Sequence, residues 1–169
     1  MKTRIFLIGF MGSGKSTLGA QLARHLGYQF VDMDQLIEET AEMSIPEIFN
    51  EHGEEVFRKW EHDILQELCH REKLVISTGG GAPCHSGTMD HMNAHGTTIY
   101  LKLSSEALLS RLINSRTERP LIKGKSEPEL LDFIKSLLET REEFYSRATH
   151  IVDGLNMKTE ELVRKISNS

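Results

Sequence analysis

Residues 9–16 read Gly-Phe-Met-Gly-Ser-Gly-Lys-Ser, and this stretch decides the fold. It matches the pattern G-x-x-x-x-G-K-[ST], in which a glycine-rich loop joins a buried strand to a helix and holds phosphate groups with its backbone amides. The apolar run at 4–9 suits the strand, and Leu18, Leu22 and Leu26 repeat at helical spacing after the loop. The sequence therefore predicts a nucleotide-phosphate site close to residue 10.

Each residue type in this phosphate loop has a physical role. Glycine has no Cβ, so its backbone N–H can approach a phosphate oxygen, and the dipole of the following helix favours the negative charge. Lys15 is expected to reach the β- and γ-phosphates, and Ser16 to offer its hydroxyl to one Mg²⁺ ion that bridges them. The residues predicted to hold the nucleotide are Gly12, Ser13, Gly14, Lys15, Ser16 and Thr17.

Short apolar runs alternate with longer segments of helical period, which indicates the α/β class with a parallel sheet. Five strands are predicted, at 4–9, 29–32, 74–77, 97–103 and 150–153. After the first helix, which ends at Gly27, helices are predicted at 35–43, 45–49, 54–71, 105–113, 128–146 and 158–166. Ser44 and Glu47 are predicted to form a capping box before the helix at 45–49. Since no linker or repeat divides the chain, residues 1–169 are expected to form a single domain.

Composition excludes several classes of protein. With 38% hydrophobic and 27% charged residues, the chain reads as an ordinary soluble globular protein without a membrane span. The net charge of −5 argues against a nucleic-acid partner. Cys69 and Cys84 form no C-x-x-C pair, which argues against a disulfide framework or zinc knuckle and fits the cytoplasm. The eight histidines show no ligand spacing such as H-E-x-x-H and are expected at the surface or hydrogen-bonded in the core.

A phosphate loop alone does not distinguish a GTPase, a motor ATPase and a small-molecule kinase. No Asp is followed three residues later by Gly, and no guanine-reading N-K-x-D is present, which argues against a GTPase. Asp32 and Asp34 follow the second predicted strand, at the edge where the phosphates are expected. Asp32 would help to hold the Mg²⁺, and Asp34 would accept a proton from a substrate hydroxyl or position that hydroxyl. The alternative for Asp34 is a capping role on the next helix.

Three further features are ambiguous when each is taken alone. Arg58 and Glu61 share a helix face, so Arg58 is either a fork for a substrate carboxylate or half of a surface ion pair. The glycines at 79–81 suit close approach to a ligand or form a plain loop. Residues 114–127 are polar and basic, as in lids that bring an arginine over a γ-phosphoryl group. Arg141 would by itself be read as a solvated charge.

Together, these motifs resemble the shikimate kinase family. The resemblance depends on the phosphate loop, Asp-Met-Asp at 32–34, Phe-Arg-Lys-Trp-Glu at 57–61, Thr-Gly-Gly-Gly at 78–81, Arg-Pro-Leu-Ile at 119–122, and Arg141. It implies a three-layer P-loop fold like that of nucleoside monophosphate kinases, with a five-stranded parallel sheet, a substrate-binding helical region at 34–61 and a lid at 114–127. It also implies transfer of the ATP γ-phosphate to the 3-hydroxyl of shikimate, on the route to chorismate and the aromatic amino acids.

The resemblance assigns roles to individual residues. Shikimate would contact Asp34, Arg58, Gly80 and Arg141, with the arginines on its carboxylate and Asp34 on its hydroxyls. Catalysis would depend on Asp34, Lys15 and the lid residue Arg119, which also contacts ATP. Either Arg111 or Arg116 would supply a second lid arginine, and adenine would meet backbone, Asn156 or Lys158. A monomer is expected, and the alternatives are a gluconate kinase of the same fold and an ATP-binding module without catalysis.

Overall fold

A computed structural model describes residues 3–85, 87–115 and 122–167 of the chain. Its strands are β1 (Arg4–Ile8), β2 (Gln29–Asp32), β3 (Leu74–Ser77), β4 (Thr97–Lys102) and β5 (His150–Asp153). They form one parallel sheet in the order β2-β3-β1-β4-β5. The predicted α/β class and five-stranded parallel sheet are therefore confirmed, with three strands bounded as expected and β1 and β4 each one residue shorter.

Helices connect the strands. They are α1 (Lys15–Leu26), α2 (Met33–Ala41), α3 (Ile45–Cys69), α4 (Thr88–His95), α5 (Ser105–Ile113), α6 (Glu127–Tyr145) and α7 (Thr159–Ser167), with a short 3₁₀ turn at Ala82–Cys84. The helices predicted at 45–49 and 54–71 are joined into α3 across a break at Gly53, whose φ of 80° is not helical. No described helix is both long enough and apolar enough to span a bilayer.

Helix α4 was not predicted from the sequence. It begins after Gly87, which has a positive φ and donates no side-chain cap, so the usual start signal is absent. Only Thr88, Met89 and Met92 of this helix are buried, and the rest of the helix is polar apart from Ala94. By contrast, the predicted capping box before α3 is confirmed, because Ser44 and Glu47 exchange side-chain and backbone hydrogen bonds.

The sheet is buried on both faces, which makes the fold three-layered. Ile5 and Leu7 of β1 pack with residues of α1 and α7, whereas Phe6 and Ile8 point to the other face and pack with residues of α3, α4 and α6. After β1 the chain forms β2 and β3 on one side of that strand and then β4 and β5 on its other side, so the strand order reverses direction at β1. Ligands of open α/β sheets bind at such a switch point, beyond the carboxyl ends of the strands.

Candidate active site

The phosphate loop lies at this switch point, between β1 and α1. Gly14 is the residue before α1 and has a φ of 94°, a conformation that favours glycine. Lys15 is 9% exposed, and its ammonium group donates to the carbonyl oxygens of Gly9 at 2.8 Å and Phe10 at 2.9 Å. The loop thus surrounds a buried positive charge. Thr17 follows in the first turn of α1, on the exposed side of the helix.

Ser16 and Asp32 meet at the carboxyl end of β2. The Ser16 hydroxyl donates to Asp32 Oδ2 at 2.6 Å, and Asp32 Oδ1 accepts from the backbone N–H groups of Asp34 and Gln35. Asp32 therefore caps α2, so the alternative that Asp34 is the cap is wrong. A hydroxyl and a carboxylate are oxygen donors of the kind that Mg²⁺ prefers, and the pair fits such an ion.

Asp34 lies in the first turn of α2, not at the strand end where the sequence pattern placed it. Burial raises the pKa of its carboxyl group, and the nearby Asp32 carboxylate raises it further. The charges of Lys15 and Arg58 act in the opposite direction, although burial outweighs them. A carboxyl group with a raised pKa beside a phosphate loop is suited to accepting a proton.

The glycines at 79–81 bring the remaining predicted site residues together. A Cβ atom at positions 79, 80 and 81 would lie 2.8 Å from Asp34 Oδ1, 3.0 Å from Arg141 Nη1 and 2.7 Å from Arg58 Nη2, respectively. These distances are shorter than or at the lower limit of ordinary contacts, so side chains there would displace all three groups. The glycine loop is therefore packed closely against these three side chains.

Arg58 is held from one side by Glu61. Its Nη1 atom donates to Glu61 Oε1 at 2.8 Å, and Glu61 is only 5% exposed. Burial raises the pKa of Glu61, and the adjacent Arg58 guanidinium acts against that increase. Because the carboxylate is buried, this is not the surface ion pair that spacing alone allows. The arrangement fixes one edge of the Arg58 fork.

Arg141 projects from α6 to the same place. Its guanidinium carbon lies 5.5 Å from the centre of the Phe10 ring, and Nη1 is buried without a hydrogen-bond partner in the described part of the chain. Buried donors in native proteins are nearly always satisfied, so this one points to an acceptor supplied by a ligand. The solvated-charge alternative for Arg141 is therefore wrong.

Tyr145 is a site residue that sequence reasoning missed. Its hydroxyl donates to the Gly80 carbonyl at 2.5 Å, and its ring packs against Tyr100 with centroids 5.0 Å apart. It thus anchors the glycine loop from the helix that carries Arg141. The available signal was its position four residues after Arg141, which puts the two side chains on one helix face.

Arg111 supports the phosphate loop from α5. Its guanidinium donates to the carbonyl of Ser13 at 3.0 Å and to that of Gly154, in the loop after β5, at 3.2 Å. Asn156, in the same loop, donates its side-chain amide to Asp153. Of the predicted lid arginines, Arg111 lies in α5, whereas Arg116 and Arg119 lie outside the described residues, as do residues 116–121 of the segment 114–127 that was predicted as a lid.

The parallel sheet, the phosphate loop at its switch point and the facing acid define the chain as a P-loop kinase. The family model for shikimate kinase matches residues 11–169. A shikimate kinase from Parabacteroides distasonis is 46% identical over 166 residues, covering 98% of this chain and 96% of that protein. This chain belongs to the shikimate kinase family.

Solved structures agree with this assignment. A shikimate kinase from Bacteroides thetaiotaomicron superposes with a TM-score of 0.92 at 40% identity, covering 98% of this chain and 97% of the other. A shikimate kinase from Acinetobacter baumannii, solved in complex with shikimate, has a TM-score of 0.85 at 33% identity, with coverages of 98% and 91%. The three-layer P-loop fold that the sequence predicted is thereby confirmed.

Proposed function

We propose that this chain is a shikimate kinase, which transfers the γ-phosphoryl group of ATP to the 3-hydroxyl of shikimate and releases shikimate 3-phosphate and ADP. The observation that carries the proposal is the convergence of one carboxyl group and two guanidinium groups on the glycine loop, beside the phosphate loop. Shikimate offers a carboxylate at one end of its ring and hydroxyls at the other. The relative from Acinetobacter baumannii, solved with shikimate, supports the same substrate.

The two arginines suit the substrate carboxylate. Arg58 Nη1 donates to Glu61 and Nε lies 3.6 Å from Glu54 Oε1, which orients the guanidinium and leaves Nη2 for a ligand. Arg141 offers the buried Nη1 donor described above. An arginine fork binds a carboxylate through two parallel hydrogen bonds, so these residues discriminate in favour of an acidic substrate. Gly80 completes this part of the site because its missing side chain leaves room for Arg141.

Asp34 is proposed to act on the hydroxyl that is phosphorylated. The hydroxyl oxygen forms a bond to the γ-phosphorus while the bond from that phosphorus to the β,γ-bridging oxygen breaks. The hydroxyl proton passes to the Asp34 carboxylate and the leaving ADP takes the bonding electrons. Lys15 would contact the β- and γ-phosphates, and Arg119 would add positive charge over the transferred group.

The nucleotide site requires a divalent ion in this proposal. One Mg²⁺, held by Ser16 and Asp32, would offset negative charge on the β- and γ-phosphates when bound. The residues from Gly12 to Thr17 would hold the phosphates through backbone N–H groups and hydroxyls. Adenine would lie near Asn156 and Lys158, beside the loop that Arg111 joins to the phosphate loop.

A substrate-panel assay tests the proposal. Purified protein with Mg²⁺ and ATP is incubated with shikimate or gluconate, and ADP and the phosphorylated product are quantified together. We expect ADP and shikimate 3-phosphate in equal amounts and no transfer to gluconate. Transfer to gluconate alone would favour the gluconate kinase alternative, and nucleotide binding without transfer would favour a regulatory module.

We propose that the protein has a single-domain organisation. Residues 1–169 would form one domain, with the substrate-binding region at 34–61 and the lid at 114–127. We propose a cytoplasmic monomer that has no nucleic-acid or membrane partner, in keeping with the net charge of −5 and with free thiols at Cys69 and Cys84. Size-exclusion chromatography with light scattering would test the oligomeric state.

A further inference from the structure

A second group of chemically reactive side chains lies at the opposite edge of the sheet. Helix α3 ends at Cys69 before β3 begins, and α4 ends at His95 before β4 begins. Because β3 and β4 are parallel, the ends of both helices lie at the amino edge of the sheet, whereas the phosphate loop lies at the carboxyl edge. The proposed kinase mechanism uses none of these side chains.

Cys69, His91 and His95 converge at this edge. The Cys69 sulfur and one ring nitrogen from each histidine all lie within 4.8 Å of one another. Cys69 is buried. The two histidines lie on adjacent turns of α4, and the centroids of their rings are 4.2 Å apart. A thiolate and two imidazoles are the ligand types that select Zn²⁺ and related transition metals over Mg²⁺.

The hydrogen bonds of the histidines leave nitrogen lone pairs available. His95 Nδ1 lies 2.8 Å from the His91 carbonyl oxygen, which can only accept, so Nδ1 donates this bond and Nε2 is the nitrogen left for a metal in the neutral ring. Metal-ligating histidines typically donate their second nitrogen to a carbonyl in this way. His91 Nε2 is buried and has no hydrogen-bond partner among the described residues, contrary to the expectation that core histidines are satisfied.

The surroundings of the cluster also fix its shape. Arg4 donates to the carbonyl of His95 at 2.7 Å and to that of Arg71 at 2.8 Å, so it ties the ends of α3 and α4 together. Its positive charge also favours the thiolate form of Cys69, against the burial that raises the pKa of that thiol. The His62 ring, on α3, lies 6.2 Å from the His91 ring and approaches the cluster from the exposed side.

We propose that Cys69, His91 and His95 form a binding site for one Zn²⁺-class transition-metal ion, separate from the Mg²⁺ that serves ATP. Binding converts the Cys69 thiol to a thiolate, and its proton leaves to solvent as the metal–sulfur bond forms. Zinc sites with three protein ligands keep a fourth position, which water would occupy here, since His62 Nε2 is engaged by the Gln66 side chain at 2.9 Å. Zinc–ligand bonds of about 2.0–2.3 Å place the ligand atoms of a tetrahedral site roughly 3.5 Å apart. The Cys69 sulfur and the two histidine nitrogens would therefore move about 1 Å closer together when the metal binds.

Cobalt titration tests the site, because Co²⁺ bound to a thiolate gives a sulfur-to-metal charge-transfer band in the near ultraviolet. We expect a band that saturates at one equivalent of Co²⁺ per chain and disappears when Zn²⁺ is added. Cys69→Ser should abolish it, whereas Cys84→Ser, which changes the other cysteine of the chain, should retain it. Absence of the band in the unmodified protein, or its persistence in C69S, would overturn the proposal.

A second measurement does not depend on the cysteine variant. Zn²⁺ should raise the melting temperature of the unmodified protein and of His25→Gln, an exposed control, and this increase should be lost in His91→Gln. Mg²⁺ at the same concentration should not reproduce the increase in the absence of nucleotide. An equal Zn²⁺ effect in H91Q and H25Q would contradict the assigned ligands. Neither readout involves phosphoryl transfer, so both stand independently of the proposed kinase activity.

Discussion

Asp34 and Gly79 lie so close together that a Cβ atom at position 79 would be 2.8 Å from Asp34 Oδ1 and 3.1 Å from Glu61 Oε2. Gly79 follows the buried strand β3, so its backbone has little room to retreat, whereas the Asp34 side chain can rotate away. A side chain at position 79 would therefore move the carboxylate rather than the strand.

Gly79→Ala is expected to lower kcat/KM for shikimate by roughly 10²-fold, because a shift of about 1 Å in a reacting group can cost that much. Steady-state kinetics with varied shikimate measures the effect. The cause is separable from general damage by a double-mutant cycle: in an Asp34→Asn background, G79A should cost much less. Equal costs in both backgrounds would show that Gly79 acts without Asp34.

Asp34→Asn is expected to lower kcat by about 10²–10⁴-fold, the range that a positioned proton acceptor contributes. The amide cannot accept the hydroxyl proton as the carboxylate does, although it has nearly the same shape. Binding of ATP, measured by calorimetry, should remain close to that of the unmodified protein. Turnover within a few-fold of normal would exclude Asp34 as the base.

The same substitution should stabilise the fold at neutral pH. Burial raises the pKa of Asp34, so the folded state favours the protonated carboxyl group. The stability that this preference contributes is fully present below the usual pKa of 3.8 and is lost as pH rises through the folded-state pKa. D34N should therefore raise the melting temperature at pH 7 and change it little near pH 3. Calorimetric scans at both values check this, with the exposed Asp63→Asn as a control that should show no such gain.

Arg58→Lys is expected to raise KM for shikimate by about tenfold or more and to change kcat much less. A lysine replaces the planar fork with a single charged point, which loses at least one hydrogen bond to the substrate carboxylate. Lys59→Arg, at the exposed neighbouring position, is the matched control. If R58K and K59R gave the same KM, Arg58 would have no place in the carboxylate site.

The strands could be predicted because each is a short apolar run bounded by turn residues. The phosphate loop was equally accessible, since its chemistry requires specific residues at fixed spacing. Helix α4 could not be predicted, because its start lacks a side-chain cap and its buried positions are few. The role of Asp32 as the cap of α2 became clear only from its hydrogen bonds.

Long-range contacts explain most of what sequence reasoning missed in the site. Tyr145 reaches Gly80 across the fold, and no local pattern reports that contact. His91 and His95 have the four-residue separation of H-E-x-x-H but lack its glutamate, and their meeting with Cys69 depends on two helices ending at one sheet edge. The role of Arg141 likewise depended on a resemblance, until its buried donor was located beside the glycine loop.

The bonds from Lys15 to the carbonyls of Gly9 and Phe10 have an energetic consequence for nucleotide recognition. They lie within the loop, so folding itself orders the backbone amides that face the phosphates. A flexible loop would lose conformational entropy when the nucleotide binds, whereas this loop has lost much of that entropy on folding. More of the favourable energy of the phosphate contacts therefore contributes to nucleotide affinity. Lys15 thus helps to preorganise the phosphate loop for the nucleotide.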